Sequence, residues 1–242
     1  MVERVQKILS QWGIASRRQA EQMILEGRVR LNGDRCSLGQ KADPAIDRIE
    51  VDGSLIQPAQ RPELIYLLLH KPQGVVSTCS DPQHRQTVLD LLPVDLQQAQ
   101  GIHPVGRLDV DSTGALLLTN DGELTFALTH PSHPVPKTYQ VWVKGHPSTE
   151  AIASWRQGVL LDHRLTLPAE VEVLTVKGDR TQLKITLWEG RNRQIRRIAE
   201  QLGYPVIHLH RISIGSIRLQ HLPLGEYRYL TGTEVEFLKS QI

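Results

Sequence analysis

The 242-residue sequence is short of several things, and each shortage narrows what the chain can be. It has two cysteines, Cys36 and Cys79, far apart, outside any CxxC pair and away from histidines at zinc-ligand spacing. That argues against a disulfide scaffold and a structural metal site, and the expectation is two structural thiols and no metal. No apolar run approaches the roughly 20 residues a bilayer crossing needs. The opening MVERVQKILSQWG mixes charge into an amphipathic pattern without a signal-peptide core, so the expected location is the cytoplasm, with no membrane partner. There is no internal repeat or low-complexity tract, which removes solenoid architectures. Neither sign of charge dominates, and a formal net charge of +2 is too small to announce a nucleic-acid binder.

The chain does have 40% hydrophobic residues, enough at this length for one large domain or a small one plus a larger one. Its charge is also unevenly spread. Residues 1–35 carry seven Lys/Arg against four acids, and residues 190–211 carry five arginines against Glu200 alone.

In the first basic region Val5, Ile8, Leu9 and Trp12 recur at helical spacing and Gly13 ends the run. Ser16 followed by Gln19 is a capping-box pattern for a second helix that closes at Gly27. Asn32-Gly33 and Asp52-Gly53 each follow a short alternating run, which predicts a small sheet with tight turns. Arg17 and Arg18 fall in the first turn of the second helix, where cations oppose the helix dipole and a docked phosphate would be favoured; a solvated charged face is the alternative. The stretch RVQKILSQWGIASRRQAEQMILEGRVRLNG resembles the ribosomal-protein S-four-like RNA-binding domain. The expected organisation is that domain over residues 1–53, a proline-bearing linker over 54–63, and a larger domain over 64–242.

Beyond Ile65, β-rich runs at 65–69, 138–143 and 183–188 alternate with helical stretches around 87–92, 149–157 and 193–202. The mixture reads as α+β, with a largely antiparallel sheet flanked by helices. The segment HPVGRLDVDSTGALLLTNDGEL, residues 103–124, contains a buried strand at Leu116–Leu118 and a turn at 120–122 that starts a helix from Glu123. Upstream of that strand lies an irregular loop bearing Asp109 between Leu108 and Val110. By spacing alone Asp109 is a turn former, an ion-pair partner or a catalytic carboxylate. Tyr139 by itself is a core or interface aromatic, and the arginines at 191–197 a solvated helix end whose like charges call for an anion.

The loop GRLDVDSTGALLLTNDG resembles the signature of the RsuA/RluB family of ribosomal RNA pseudouridine synthases. HKPQG at 70–74, PKTYQV at 136–141 and NRQIRR at 192–197 resemble that family's other elements in the same order. The resemblance implies the pseudouridine synthase fold, no cofactor, and a ribosomal RNA or pre-ribosomal partner for a protein acting as a monomer. It makes Asp109 the catalytic carboxylate, Tyr139 the face that packs on the target base, and Arg196 the partner of Asp109. Lys71 has a shaping role or a phosphate contact, and Asp111 is a loop-capping or solvent-facing residue. The expected RNA-binding residues are Lys7, Arg17, Arg18 and Arg28 in the first domain and Arg107, Arg191, Arg193 and Arg197 in the second, with Arg211 able to join them.

Pseudouridine formation breaks the ribose–N1 bond, turns the uracil and rejoins it through carbon 5, so it asks for one carboxylate, a cation to direct it and an aromatic face. The carboxylate either attacks the sugar or deprotonates it. A flipped-out uridine leaves a space for which Arg107 is the candidate filler. NRQIRR and the D-P-x-x-R-x-T run at 81–87 lean towards large-subunit members. Two other classes compete: a non-catalytic RNA-binding or ribosome-assembly protein, which would explain the charge but not the ordered motifs, and a nucleic-acid glycosidase.

Overall fold

A computed structural model of the protein describes residues 2–56, 62–97, 101–130, 132 and 135–241. Two compact units divide it: the described residues of 1–66, 92–103 and 118–122, and those of 67–91, 104–117 and 123–242.

The first unit begins with β1 (Glu3–Arg4), α1 (Val5–Gln11) and α2 (Arg17–Leu25). Ser16 caps α2 as predicted: its Oγ accepts from the Gln19 amide at 3.3 Å while Gln19 Oε1 accepts from the Ser16 amide at 3.0 Å. The two helices bury Val5, Ile8, Leu9, Trp12, Ala20 and Ile24 against β2 (Val29–Leu31) and β5 (Ile49–Val51). β3 (Asp34–Arg35) and β6 (Ser54–Ile56) flank those strands in the order β3-β2-β5-β6, and β4 (Lys41–Ala42) pairs with β1. Asn32 and Gly33 both have positive φ, 54° and 92°, the type I′ geometry of a two-residue hairpin, and Asp52-Gly53 repeats it. Cys36 lies in this core, whereas Cys79 is exposed, and neither is in a disulfide among the described residues. Ser54–Ile56 forms a strand, not the start of an extended linker, because Asp52-Gly53 folds it back on β5; residues 57–61 of the expected linker lie outside the described residues.

The second unit is built on one sheet. β7 (Tyr66–Lys71) is followed by α3 (Val94–Gln97), which falls in the first unit, and then by β8 (His103–Pro104), β9 (Thr113–Thr119), α4 (Gly122–Thr129), β10 (Lys137–Lys144) and α5 (Thr149–Gln157). Then come the hairpin β11 (Leu160–Leu161) and β12 (Arg164–Leu165), the long strands β13 (Glu170–Lys177) and β14 (Arg180–Leu187), and α6 (Gln194–Gln201). β15 (Val206–Ile214), β16 (Ile217–Arg218), β17 (Tyr227–Tyr229) and α7 (Gly232–Lys239) complete it. The strand order β13-β14-β10-β15-β9-β7-β17 is antiparallel at β13·β14, β14·β10, β10·β15 and β7·β17, and parallel at β15·β9. The sheet's inner residues Val141, Val143, Leu183, Ile185 and Leu209 bury against Ile152 and Trp155 of α5 and Ile195, Ile198 and Ala199 of α6.

The expected helix around 87–92 is absent. Asp90 Oδ2 accepts from the Thr87 amide at 2.7 Å and from its hydroxyl at 3.0 Å, closing a turn, and Pro93 then precedes the short α3. The T-N-D stretch that ends β9 is an anchor: buried Asn120 accepts from the Ile65 amide at 2.8 Å and donates to the Glu63 carbonyl at 2.7 Å, and Thr119 Oγ1 donates to Ile65 O at 2.6 Å.

Gly114 explains its place in the S-T-G motif. It lies opposite Arg211 in the parallel β9·β15 pair, at φ 118°, and a Cβ there would come within 2.2 Å of the Arg211 carbonyl oxygen and 2.5 Å of its amide nitrogen. No side chain fits, so glycine sets how closely the two strands meet. Gly114→Ala is expected to destabilise the protein by about 3 kcal/mol, the upper range for overpacking a core, as measured by urea denaturation.

Candidate active site

The loop before β9 is held by backbone-directed bonds. Lys71, at the end of β7, is fully buried, and its three ammonium hydrogens meet three carbonyl oxygens: Pro72 at 2.9 Å, Asp109 at 3.1 Å and Ser112 at 2.9 Å. Burial pushes this ammonium down to about 8, against the pull of the Asp111 and Asp109 carboxylates. Of the two roles open to Lys71, shaping the loop is the one its contacts fit. Ser77 Oγ donates to Leu108 O at 2.8 Å, and the Gly74 amide donates to Val110 O at 2.8 Å. With both neighbours' carbonyls tied down, the Asp109 side chain is left presented, 36% exposed.

Two arginines meet this loop from the start of α6. Arg193 is the helix N-cap and takes a left-handed conformation, φ 48°. Its guanidinium spans both loop carboxylates, Nη1 lying 3.5 Å from Asp109 Oδ2 and Nη2 3.3 Å from Asp111 Oδ2. Arg196, one helical turn on and therefore on the same face, donates through Nη2 to Asp111 O at 3.0 Å and to Ser112 Oγ at 3.1 Å, with Nε 3.4 Å from Asp111 Oδ2. The expected Arg196–Asp109 pair is thus replaced: Arg193, expected on RNA, bridges to Asp109, while the Asp111 carbonyl and carboxylate capture Arg196. Asp111 is correspondingly more than a loop cap. Burial works against its charge, but the Arg193 hydrogen bond and the Arg196 and Arg193 charges prevail and lower its pKa. Burial lowers that of Arg196, whose Nε is buried without a hydrogen-bond partner.

Asp109, Arg193 and Arg196 line a cleft of about 990 Å³ that lies entirely within the second unit. Tyr139, on β10 and 9% exposed, is part of its wall. The sequence-predicted trio Asp109, Tyr139 and Arg196 therefore shares one cavity. Arg107 also lines it, is exposed and makes no ion pair among the described residues. Lys137 and Arg211 line it too; Lys137 was not singled out by the sequence, although its position two before Tyr139 on a strand puts it on the same face.

The other expected RNA contacts divide by their partners. Arg17 and Arg18 are exposed and unpaired among the described residues. Lys7 pairs with Glu3 at 2.5 Å, and Arg28 makes a two-point pair with Asp52 at 2.7 and 2.8 Å. Arg197 makes a two-point pair with Asp162 at 2.6 and 2.9 Å. Arg191 is a clamp: it bonds Glu189 at 3.1 Å and the carbonyls of Leu161, Arg164 and Leu165 in the β11·β12 hairpin, which leaves its guanidinium committed to the protein and corrects the expectation of a free backbone contact.

Residues 65–201 match the family model for RNA pseudouridylate synthase, and residues 3–45 match the S4 domain. The chain belongs to the RNA pseudouridylate synthase family. A relative from Bacillus subtilis (strain 168), "Ribosomal large subunit pseudouridine synthase B", is 40% identical over 99% of this chain and 96% of that one. An "Uncharacterized RNA pseudouridine synthase" of Aquifex aeolicus (strain VF5) is 38% identical over 97% and 93%. A crystal structure of a pseudouridylate synthase superposes with a TM-score of 0.70 at 33% identity, covering 97% of this chain and 99% of the other. The family bears out the expected α+β synthase fold and enzyme class. No helix among the described residues is long and apolar enough to cross a membrane.

In this family member the buried ammonium of Lys71 is the pin of the acidic loop. Lys71→Met strands three carbonyl oxygens, each costing about 1–3 kcal/mol when left unsatisfied. The expected result is a net loss of about 3 kcal/mol in urea denaturation, together with lower pseudouridine formation at temperatures where the variant is still folded.

Proposed function

We propose that the protein converts a uridine of large-subunit ribosomal RNA to pseudouridine, using Asp109 as the reacting carboxylate and Tyr139 as the face for the base. The observation that carries this reading is the meeting, in one cleft, of a presented carboxylate, guanidinium groups that direct it and a tyrosine on the wall. The ribosomal substrate is supported by the names of the relatives, and its large-subunit origin also by the D-P-x-x-R-x-T and N-R-Q-I-R-R elements. The division of labour remains as the sequence suggests: residues 1–53 bind RNA and residues 64–242 carry the chemistry, in a monomer acting in the cytoplasm on ribosomal RNA or a pre-ribosomal particle.

The target uridine leaves its stack and enters the cleft, at a cost of a few kcal/mol offset by new contacts. Asp109 meets the ribose, either bonding to C1′ or removing a sugar proton, and the N1–C1′ bond breaks. The freed uracil turns against Tyr139 and C5 bonds to C1′ as the Asp109–C1′ bond breaks or, on the other route, as Asp109 returns the proton to the sugar; C5 then loses its proton and N1 gains one. Nothing is consumed, so the isomerisation calls for no outside reactant. Arg193 fixes the direction of Asp109, and Arg196 acts one step away by holding Asp111 and Ser112. Arg107, exposed and lining the cleft, is the residue that fills the space the uridine vacates. Arg28 and Arg197 can exchange a carboxylate for a phosphate because ion pairs in full contact with solvent contribute little.

Asp109→Asn should abolish pseudouridine, mapped by carbodiimide and primer extension in a deletion strain carrying each version, while the purified variant keeps near wild-type affinity for ribosomal RNA. A modified site in the variant equal to that of the wild type would remove the assignment. Arg17→Glu combined with Arg18→Glu should weaken RNA binding about tenfold and flatten its salt dependence by about two charges, as read by filter binding across a salt series.

A further inference from the structure

The inner wall of the cleft holds two cations without an anion. Arg211, on β15, is 4% exposed. Its Nε donates to Ala115 O at 2.6 Å, but its Nη2 is buried with no hydrogen-bond partner. Lys137 opens β10 and is half-buried; burial first, and the charge of Arg211 second, push its ammonium down to about 8. Neither makes an ion pair among the described residues, and the carboxylates that line the cleft are engaged elsewhere: Asp109 by Arg193, Asp162 by Arg197 and Glu189 by Arg191. Like charges in a poorly solvated place repel strongly and are unfavourable unless an anion joins them.

Their position says which anion. Arg211 is the cross-strand partner of Tyr139, and Lys137 precedes Tyr139 by two residues on one strand, so the two cations flank the tyrosine on the wall of the cleft. A phosphate stays on the RNA backbone at the cleft mouth, where exposed Arg107 and Arg164 line it. The group that reaches Tyr139 is the base. Uracil is neutral while bound to the sugar, but the bonding pair of N1–C1′ leaves on the ring, spreading from N1 onto O2 and O4, whether Asp109 bonds to C1′ or removes a sugar proton.

We propose that Lys137 and Arg211 are catalytic residues that bind the carbonyl oxygens of the target uracil and stabilise the negative charge the ring carries between leaving N1–C1′ and rejoining through C5. This rests on the reading of Asp109 and Tyr139 given above. It is a preorganised electrostatic site, in which unsatisfied donors wait for charge that exists only during the reaction.

The test uses the full-length protein and transcribed large-subunit ribosomal RNA under single-turnover conditions. Lys137→Met and Arg211→Met should each lower the saturating rate about 100-fold, the usual effect of removing such a donor, with RNA affinity near wild type. Lys137→Arg, which keeps the charge, should restore most of the rate. Should Arg211→Met fail to fold by circular dichroism, the half-buried Lys137 pair carries the test. A second arm uses RNA transcribed with 5-fluorouridine, whose electron-withdrawing fluorine makes the ring a better leaving anion. Consumption of 5-fluorouridine, read by chromatography of the digested RNA, should show a deficit in the Met variants at least about tenfold smaller than with uridine. Weakened binding with an unchanged saturating rate would mean a phosphate subsite and overturn the proposal, as would equal deficits on the two RNAs or no deficit at all. An active Asp109→Asn control would instead overturn the underlying reading of the site, and an inactive one leaves that reading standing while the proposal is judged by the Met variants.

Discussion

Two carboxylates two residues apart in one irregular loop repel each other, and the site depends on the cations that hold them. Lys71 does so from beneath, through the loop carbonyls, at the expense of a fully buried ammonium. Arg193 and Arg196 do so from the side, and only because a left-handed N-cap turns Arg193 back over the loop while Arg196 stays one turn further along the same face. These three cations share two carboxylates, so the loop, the end of β7 and the start of α6 behave as one electrostatic unit. Asp111 belongs to that unit. Without its carboxylate, Arg196 would be a half-buried cation held by a carbonyl and a hydroxyl alone, and the half of Arg193 that now faces Asp111 would have no acid to face.

Sequence patterns expose the parts of this fold that are set locally. The apolar spacing of Val5, Ile8, Leu9 and Trp12, the Ser16–Gln19 capping box, the Asn32-Gly33 and Asp52-Gly53 turns and the buried stripe of α6 all obey short-range rules, and each stands where those rules put it. The 87–92 stretch deceived because its apolar residues, Val88, Leu91 and Leu92, mimic a helix, whereas Asp90 bonding back to Thr87 makes a turn more favourable. The strand β15 was hidden for a different reason. VIHLHRISI alternates, but its inward positions include Arg211, and a buried arginine in the middle of a sheet is unreadable without knowing what it faces. The partner of Asp109 was hidden likewise: Arg193 and Arg196 are equivalent by helical spacing, and the choice between them is made by a backbone torsion that no side-chain pattern announces.

The near-neutral composition follows from the way arginine is used. Arg191 fastens the β11·β12 hairpin and Arg211 fastens β9 to β15, so both serve the fold whatever else they do. Arg28 and Arg197 are matched one for one with Asp52 and Asp162. Among the exposed arginines that make no ion pair within the described residues are Arg17 and Arg18 in one unit and Arg107 in the other. A uniform positive field would attract any nucleic acid, whereas a few unpaired cations at defined places reward an RNA whose phosphates match their spacing.

Within the cleft the charge is polarised. Asp109, with Asp111 beside it in the same loop, presents negative charge, while Arg211 and Lys137 beside Tyr139 present positive charge. On the proposed chemistry that polarity matches the substrate at its highest energy, when the sugar is electron-poor at C1′ and the ring electron-rich at N1, O2 and O4. A hydrolase could use the same polarity, and what separates isomerisation from hydrolysis is retention of the ring. Cations that grip the carbonyl oxygens keep the freed uracil against Tyr139, where turning brings C5 to the sugar before the ring can diffuse away. The same two charges that ease departure would therefore favour return, which is the feature an intramolecular transfer needs and a glycosidase does not.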